Sequence, residues 1–484
     1  MPGADAALGR LIIPALRWRP DTGFAHEGPL IAGALAIGAG GFIVFGGTAD
    51  AVRTLTADLV RRAHRPLLIG SDIERGAGQQ VAGLSELPPP LALASLGDLD
   101  VIRWAGARTG ADARSVGINW AFAPVADLDV LPENPIVQTR SFGADPARVA
   151  ACVRAWVEGC QSAGALACAK HYPGHGRTAR DSHVALPEVD ADAATLSAGD
   201  LRPFAEAARA GVATVMTAHV AYAALDPSRR PATMSPPILR QLRESLGFDG
   251  LVVTDALIME GARAGRSEGE AAVEAIRAGV DLLLYPGDPA AVHDALARAI
   301  DAGRLEPARV REARRRYVHA LERAERPVVP PRAGPWVSPD ALADALLDRG
   351  LVRGRMSPLP PPIECVVVDD DVGGPYAPSP AGYVEAELKR RGLSLRLAVN
   401  RAGSRTSTRV VLAFNGPRGW KGRASFSAES AAALAREAPD AGLVVLFGHP
   451  RLVAEIPGPA PVLIAWHRQR LMQEAVARWI AAKA

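Results

Sequence analysis

The chain has 484 residues, 48% of them apolar and 22% charged, with a formal net charge of +3. These are the proportions of a globular chain with a sizeable core, and they exclude a disordered one. So small a basic surplus leaves no electrostatic footprint for nucleic acid or an anionic membrane.

The first residues, Met1-Pro2-Gly3-Ala4-Asp5, lack the basic stretch and apolar core of a secretory signal, so none is expected. Residues 11–15 read as a first strand. Residues 28–47 carry no charge and match the length a bilayer requires, but seven Gly and one Pro interrupt them. They read instead as a short Ala-rich helix ending at Gly40-Gly41, then a buried strand over 42–45. Residues 50–64 have apolar side chains at helical spacing. Strands are expected at 67–70 and 118–122. Asp145-Pro146 opens a helix that runs to about residue 163, with the acid as N-cap and Pro in the first turn. Further strands are expected at 165–169, 214–217, 251–253 and 281–284, with a helix over 271–278 stopped by Gly279. Eight apolar runs separated by helices predict a parallel (β/α)8 TIM barrel over residues 1–325. An open doubly wound sheet is the alternative.

Residues 304–326 predict a helix whose Glu and Arg residues interleave as a solvated, ion-paired face. Residues 326–339 form a Pro-rich linker. Beyond it, strands at 365–368, 393–399, 410–414, 443–447 and 462–466 alternate with helices near 381–391, 424–437 and 469–482. They predict a C-terminal α/β sandwich domain over 340–484. Four Cys (Cys152, Cys160, Cys168, Cys365) form no CxxC pair, so a disulfide framework is not expected and a reducing, cytoplasmic compartment is.

Chemistry-bearing residues gather where the barrel strands end, the face at which strand-to-helix loops converge. The fifth strand ends in Lys170-His171-Tyr172-Pro173-Gly174-His175-Gly176, and Asp181-Ser182-His183 follows. The seventh ends in Thr254-Asp255, the third in Ser71-Asp72-Ile73-Glu74, the sixth in His219 and the first in Arg17. Asp255 stands at a strand mouth, where a carboxylate can attack an electrophilic carbon; the plainer alternative is a helix cap or ion-pair partner. Asp181 and His183, two apart in an extended loop, point the same way, so the carboxylate can hold the imidazole as a general acid; a surface Asp–His pair is the alternative. Lys170 and His171 can reach one ligand if the strand end bends, and Pro173-Gly174 supplies a bend; otherwise one of them faces the wall. His171, His175, His183, His219 and Asp181 are numerous enough for a metal, but no His-x-His or HExxH spacing supports one, so no metal and no cofactor are expected.

The run Lys170–Gly176 followed by Asp181-Ser182-His183 resembles the signature of family 3 glycoside hydrolases, in the β-N-acetylglucosaminidase branch. Gly117-Ile118-Asn119-Trp120-Ala121-Phe122-Ala123-Pro124, Asn134–Gly143, Val215–His219, Pro231–Ser235 and Gly247–Asp255 are similar to further regions of that family, so the resemblance covers residues 10–325. It implies a (β/α)8 barrel and a retaining exo-glycosidase acting on terminal β-linked N-acetylglucosamine. It implies Asp255 as nucleophile, a His183–Asp181 acid/base dyad, and sugar contacts from Asp72, Arg140, Lys170 and His171, with Arg17 a weaker match. Asp72-Ile73-Glu74-Arg75-Gly76 departs from the family's Asp-x-Glu-Gly-Gly, and Gln79-Gln80 stands where a basic residue is common.

The expected partner is a small carbohydrate, such as an imported cell-wall or chitin fragment, for a monomer or homodimer without nucleic acid or membrane. A phosphorylase using the same residues, a β-glucosidase and a non-catalytic sugar-binding barrel are the competing readings. Asp369-Asp370-Asp371 in the second domain invites a cation-site reading; a solvated loop and a cap over a barrel mouth or partner subunit are the alternatives.

Overall fold

The computed structural model describes residues 8–179, 186–263, 265–327, 338–374, 378–393, 395–399 and 408–484. Its first strand is split by Pro14, which has no N–H to offer a ladder. The pieces are β1 (Ile12–Ile13) and β2 (Ala15–Arg17). Then follow β3 (Gly41–Phe45), β4 (Leu68–Ser71), β5 (Trp120–Ala121), β6 (Leu166–Tyr172), β7 (Thr214–Thr217), β8 (Leu251–Thr254) and β9 (Leu283–Leu284). β2 to β8 pair in chain order, every pair parallel. β9 pairs with β1, and Leu282 bridges to Val253 of β8, so the ladder returns to its first strand. That return makes a (β/α)8 barrel and excludes the open doubly wound sheet. The strands are almost wholly apolar because both faces are covered: Phe42, Val44, Val215, Val252 and Val253 are all buried.

The uncharged stretch resolves into a helix, Gly28–Ala36, and β3. Among the described residues no helix is long and apolar enough to cross a membrane. The helix Pro146–Ser162 begins as its sequence predicts, with the Asp145 carboxylate accepting the Arg148 N–H at 2.7 Å. It packs on Leu99–Ser115, a helix the sequence reading did not single out. Their close approach depends on glycine: a Cβ on Gly106 would lie 2.3 Å from the Trp156 carbonyl oxygen, and one on Gly159 would lie 2.0 Å from that of Arg103. Glu268–Ala278 carries a full capping box, Ser267 with Glu270, and stops at Gly279.

The charged helix Pro307–Ala324 is only partly the solvated element expected. Arg309 and Arg316 turn inward to Asp281 Oδ1 at 2.5 and 3.2 Å, and Arg243 reaches Oδ2 at 2.7 Å. Asp281 is fully buried and also accepts the Val252 N–H at 3.0 Å. One carboxylate therefore ties the start of the last strand to β8 and to two helical segments.

By contacts the chain divides into two compact units, Met1–Ser85 with Asp98–Val130 and Ser141–Arg332, and Glu86–Gly97 with Leu131–Arg140 and Ala333–Ala484. Most of the expected Pro-rich linker, residues 328–337, lies outside the described residues. The second unit holds β10 (Leu351–Arg353), β11 (Ile363–Asp369), β12 (Leu395–Val399), β13 (Thr408–Asn415), β14 (Leu443–Gly448) and β15 (Val462–Ile464). They are ordered β10-β15-β14-β13-β11-β12, all parallel but the β10 edge. Alternation along the strands feeds two cores: Cys365, Leu412, Phe414 and Val445 pack on one face, Val366, Val411, Ala413 and Val444 on the other. Within this unit Glu86 accepts the Leu471 N–H at 3.0 Å, and Gln469 donates to the Leu87 carbonyl at 2.6 Å.

Asp369–Asp371 is neither a solvated loop nor a cation site. Arg468 pairs with Asp369 at 2.7 Å and Asp371 at 3.1 Å, Lys421 with Asp371 at 2.7 Å and Asp370 at 3.1 Å, and Arg423 with Asp370 at 3.1 Å. Protein cations already supply the compensating charge for carboxylates that are largely buried.

Replacing Asp281 by Ala leaves three guanidinium groups converging on an apolar gap. The expected cost is about 3–5 kcal/mol of stability, the scale for breaking a buried ion pair. It is measured as a lowered urea midpoint.

Candidate active site

β6 carries the centre of the site. Its register on β7 shifts between Lys170 and Tyr172, and the Lys170–His171 and Tyr172–Pro173 peptides are cis. The Lys170 side chain is 2% exposed. Its Nζ lies 2.6 Å from Asp72 Oδ1 and 2.7 Å from Glu74 Oε1, on the segment that leaves β4. An ammonium so buried needs carboxylates around it. Lys170 is therefore a wall residue and a site residue together: it neutralises Asp72, whose side chain stays 35% exposed, and Glu74, which is 5% exposed.

His171 binds Asp127, which is fully buried on the segment after β5. Nδ1 lies 2.7 Å from Asp127 Oδ2, while Asp127 Oδ1 accepts the backbone N–H of His171 at 3.0 Å and of His175 at 2.7 Å. Burial alone would raise the Asp127 carboxyl. The attraction of His171 and the hydrogen bonds from both histidines outweigh it and hold the group below the usual carboxylate range. His175 is buried too, its Nδ1 2.7 Å from Thr178 Oγ1. Burial, and then the neighbouring His171, push it down to about 4.

Asp255 follows β8 directly. Oδ1 accepts the Ala256 N–H at 2.7 Å, and Oδ2 lies 3.9 Å from His171 Nε2. Its side chain is 25% exposed. At the end of β2, Arg17 donates to the Tyr285 hydroxyl at 2.7 Å, with its guanidinium 4.5 Å from the Phe45 ring centroid. His219 Nδ1 meets Thr233 Oγ1 at 2.8 Å, and Nε2 lies 3.3 Å from the Ala256 carbonyl oxygen beside Asp255. Among the described residues no group of three or more His, Cys, Asp or Glu side chains is arranged to hold a metal.

Residues 31–320 match the glycosyl hydrolase family 3 N-terminal domain. The chain belongs to glycosyl hydrolase family 3. It is 37% identical over 280 residues to the β-N-acetylglucosaminidase/β-glucosidase of Cellulomonas fimi, a match covering 55% of this chain and 49% of that one. It is 42% identical over 202 residues to β-hexosaminidase A of Pseudoalteromonas piscicida, covering 39% and 34%. The chain thus spans half or less of the length of these two curated relatives. A solved family 3 β-N-acetylglucosaminidase from Paenibacillus sp. str. FPU-7 superposes with a TM-score of 0.84 at 28% identity, covering 100% of this chain and 97% of that one.

In this family 3 barrel, Asp72, Lys170, His171 and Asp255 form one connected set, and Arg17 stands at the end of β2. Arg140 belongs to the second unit, where its Nη1 lies 3.3 Å from the Ile136 carbonyl oxygen. Asp181, Ser182 and His183 lie outside the described residues. Asp127 escaped the sequence reading, Glu74 was quoted there without a role, and His175 was weighed only as a metal ligand. The available signal for Asp127 was an acid in Pro124-Val125-Ala126-Asp127, in the segment that leaves a buried strand, six residues past its end where Asp255 is one residue past its own.

His175 also predicts a pH effect. Its folded-state value of about 4 lies below the unfolded value, so the unfolded chain takes up the proton first as pH falls. Stability should drop between about pH 6.5 and 4, by on the order of 3 kcal/mol from this group, with no further loss from it at lower pH. Urea midpoints across that window should fall less steeply for His175→Gln than for the parent.

Proposed function

We propose that this chain is a retaining exo-glycosidase that releases terminal β-linked N-acetylglucosamine. The reading is carried by Asp255, a partly exposed carboxylate at a barrel strand mouth, 3.9 Å from His171. Asp255 attacks the anomeric carbon as the glycosidic bond breaks. His183, oriented by Asp181, gives its proton to the departing oxygen. Water then attacks the glycosyl-enzyme ester, His183 takes the water's proton, and Asp255 leaves with its electron pair. Retention follows from two inversions at one carbon. Asp72, Lys170 and His171 bind the sugar's hydroxyl groups, with Arg17 and Arg140 as further contacts. The sugar is supported by the names of the relatives, a β-hexosaminidase and a β-N-acetylglucosaminidase among them.

The Cellulomonas fimi relative carries β-glucosidase in its name as well, which favours a weaker second activity on β-glucosides. An imidazole acid/base in place of a second carboxylate also leaves less negative charge to repel an incoming phosphate, so phosphorolysis is tested directly. We further assign the chain to a reducing compartment on its four buried free thiols, and to the breakdown of imported cell-wall or chitin fragments by analogy with the family.

Aryl N-acetylglucosaminide should be cleaved faster than aryl glucoside, with the β-anomer of free sugar appearing first by NMR. Sugar 1-phosphate formed when phosphate is added would instead make the chain a phosphorylase. Asp255→Asn should lower kcat by about 10³-fold or more, and a fluorosugar should label Asp255 in the parent. His183→Ala should lose about 10²- to 10⁴-fold on poor leaving groups and much less on activated ones. Labelling of another side chain overturns the assignment.

A further inference from the structure

One buried carboxylate grips His171 at two places. Asp127 Oδ1 accepts its backbone N–H, and Oδ2 lies 2.7 Å from ring Nδ1. A carboxylate whose other oxygen already serves two N–H groups acts there as an acceptor, so the hydrogen between them sits on Nδ1. Nε2 is then the ring atom left for chemistry, and it is the nitrogen that lies 3.9 Å from Asp255. That separation is too long for a hydrogen bond and leaves Nε2 available to a hydroxyl of a bound sugar.

The surroundings leave His171 few other choices. His175, with its ring centroid 6.0 Å away, is occupied by Thr178 and held by the same Asp127 oxygen through its N–H. Lys170, the preceding residue, is committed to Asp72 and Glu74. Among the described residues, the charged and titratable groups facing His171 are Asp127, Asp255, His175 and, through the chain, Lys170. Of these, Asp127 makes a hydrogen bond to the ring.

We propose that Asp127 is a positioning residue for substrate recognition: by holding a proton on His171 Nδ1 it turns Nε2 toward Asp255 and toward one hydroxyl of the bound sugar. The proposal rests on the reading of Asp255 as nucleophile. Asp127 never touches substrate. It decides which end of the imidazole does, and with which hydrogen-bonding role, as the buried carboxylate of a hydrolytic triad fixes the tautomer of its histidine.

Two measurements test it. Imidazole ¹⁵N shifts of the full-length protein, assigned with His171→Gln, should show Nδ1 of His171 protonated at neutral pH in the absence of substrate. A ring protonated at Nε2 alone overturns the proposal, and this readout needs neither turnover nor a variant of Asp127. Asp127→Asn keeps the shape but turns an amide N–H toward Nδ1, forcing the opposite tautomer. It should retain the parent's circular dichroism and lose about 10²- to 10⁴-fold in kcat/KM on aryl N-acetylglucosaminide.

Monodeoxy sugars separate positioning from general damage. The parent should discriminate against the sugar lacking the hydroxyl that His171 meets, and Asp127→Asn should lose that discrimination while keeping it at the other hydroxyls. A uniform loss across the series, or no loss, overturns the proposal. If the parent cleaves no N-acetylglucosaminide, the functional reading fails, while the ¹⁵N result still decides the role of Asp127.

Discussion

Lys170 holds an ammonium group where water scarcely reaches, and removing such a charge from water costs several kcal/mol unless carboxylates compensate it. Asp72 and Glu74 do so from the neighbouring strand exit, and the rest of the site is arranged around that commitment. With Lys170 drawn toward β4, the next residue is left to face Asp127 and Asp255. Its ring needs its own partner, which the segment after β5 supplies. Two adjacent residues of one strand thereby connect the exits of four strands, which fixes the spacing of these groups at the barrel mouth. Preorganisation of this kind is where binding energy can be converted into rate.

The barrel was legible because its strands are buried on both faces. Runs such as Leu251-Val252-Val253 and Thr214-Val215-Met216 have no polar alternation to confuse with a surface strand. The helix starts were legible where a cap stands in the sequence, as at Asp145. Pairings between distant residues were not legible. The three acids at 369–371 look like a cation loop because their compensating charges, Lys421, Arg423 and Arg468, come from about fifty to a hundred positions away. The arginines of Pro307–Ala324 look solvated for the same reason: nothing local announces that Asp281 lies beneath them. Likewise, the grouping of Glu86–Gly97 and Leu131–Arg140 with the second unit depends on contacts such as Gln469 to Leu87, which no window of sequence contains.

The candidate site was read unevenly for a related reason. Lys170, His171, Asp72 and Asp255 each end a strand, so a rule about strand mouths finds them. Asp127 lies six residues beyond Ala121, the last residue of β5, farther past its strand than any of these. Its importance comes from what it holds rather than from where it sits. Arg140 was drawn from likeness to a family, and the Asp181–His183 pair from its spacing as well as that likeness; Arg140 falls in the second unit and the pair lies outside the described residues.

Exposure sorts four described carboxylates of the barrel site into two kinds. Asp127 and Glu74 are closed off, and each spends its charge on a buried cation or on N–H groups. Such a carboxylate cannot approach a substrate without breaking the bonds that justify its burial. Asp72 and Asp255 keep part of their surface open. Of these two, Asp72 is bound tightly to the Lys170 ammonium, which lowers the nucleophilicity of its oxygens and suits it to accept hydrogen bonds from a sugar. Asp255 Oδ2 lies 3.9 Å from His171 Nε2, close enough for electrostatic support and beyond hydrogen-bond distance. The same burial pattern that stabilises the barrel mouth thus leaves Asp72 and Asp255 partly exposed, and the tight hold of Lys170 on Asp72 is what favours Asp255 in the proposed role.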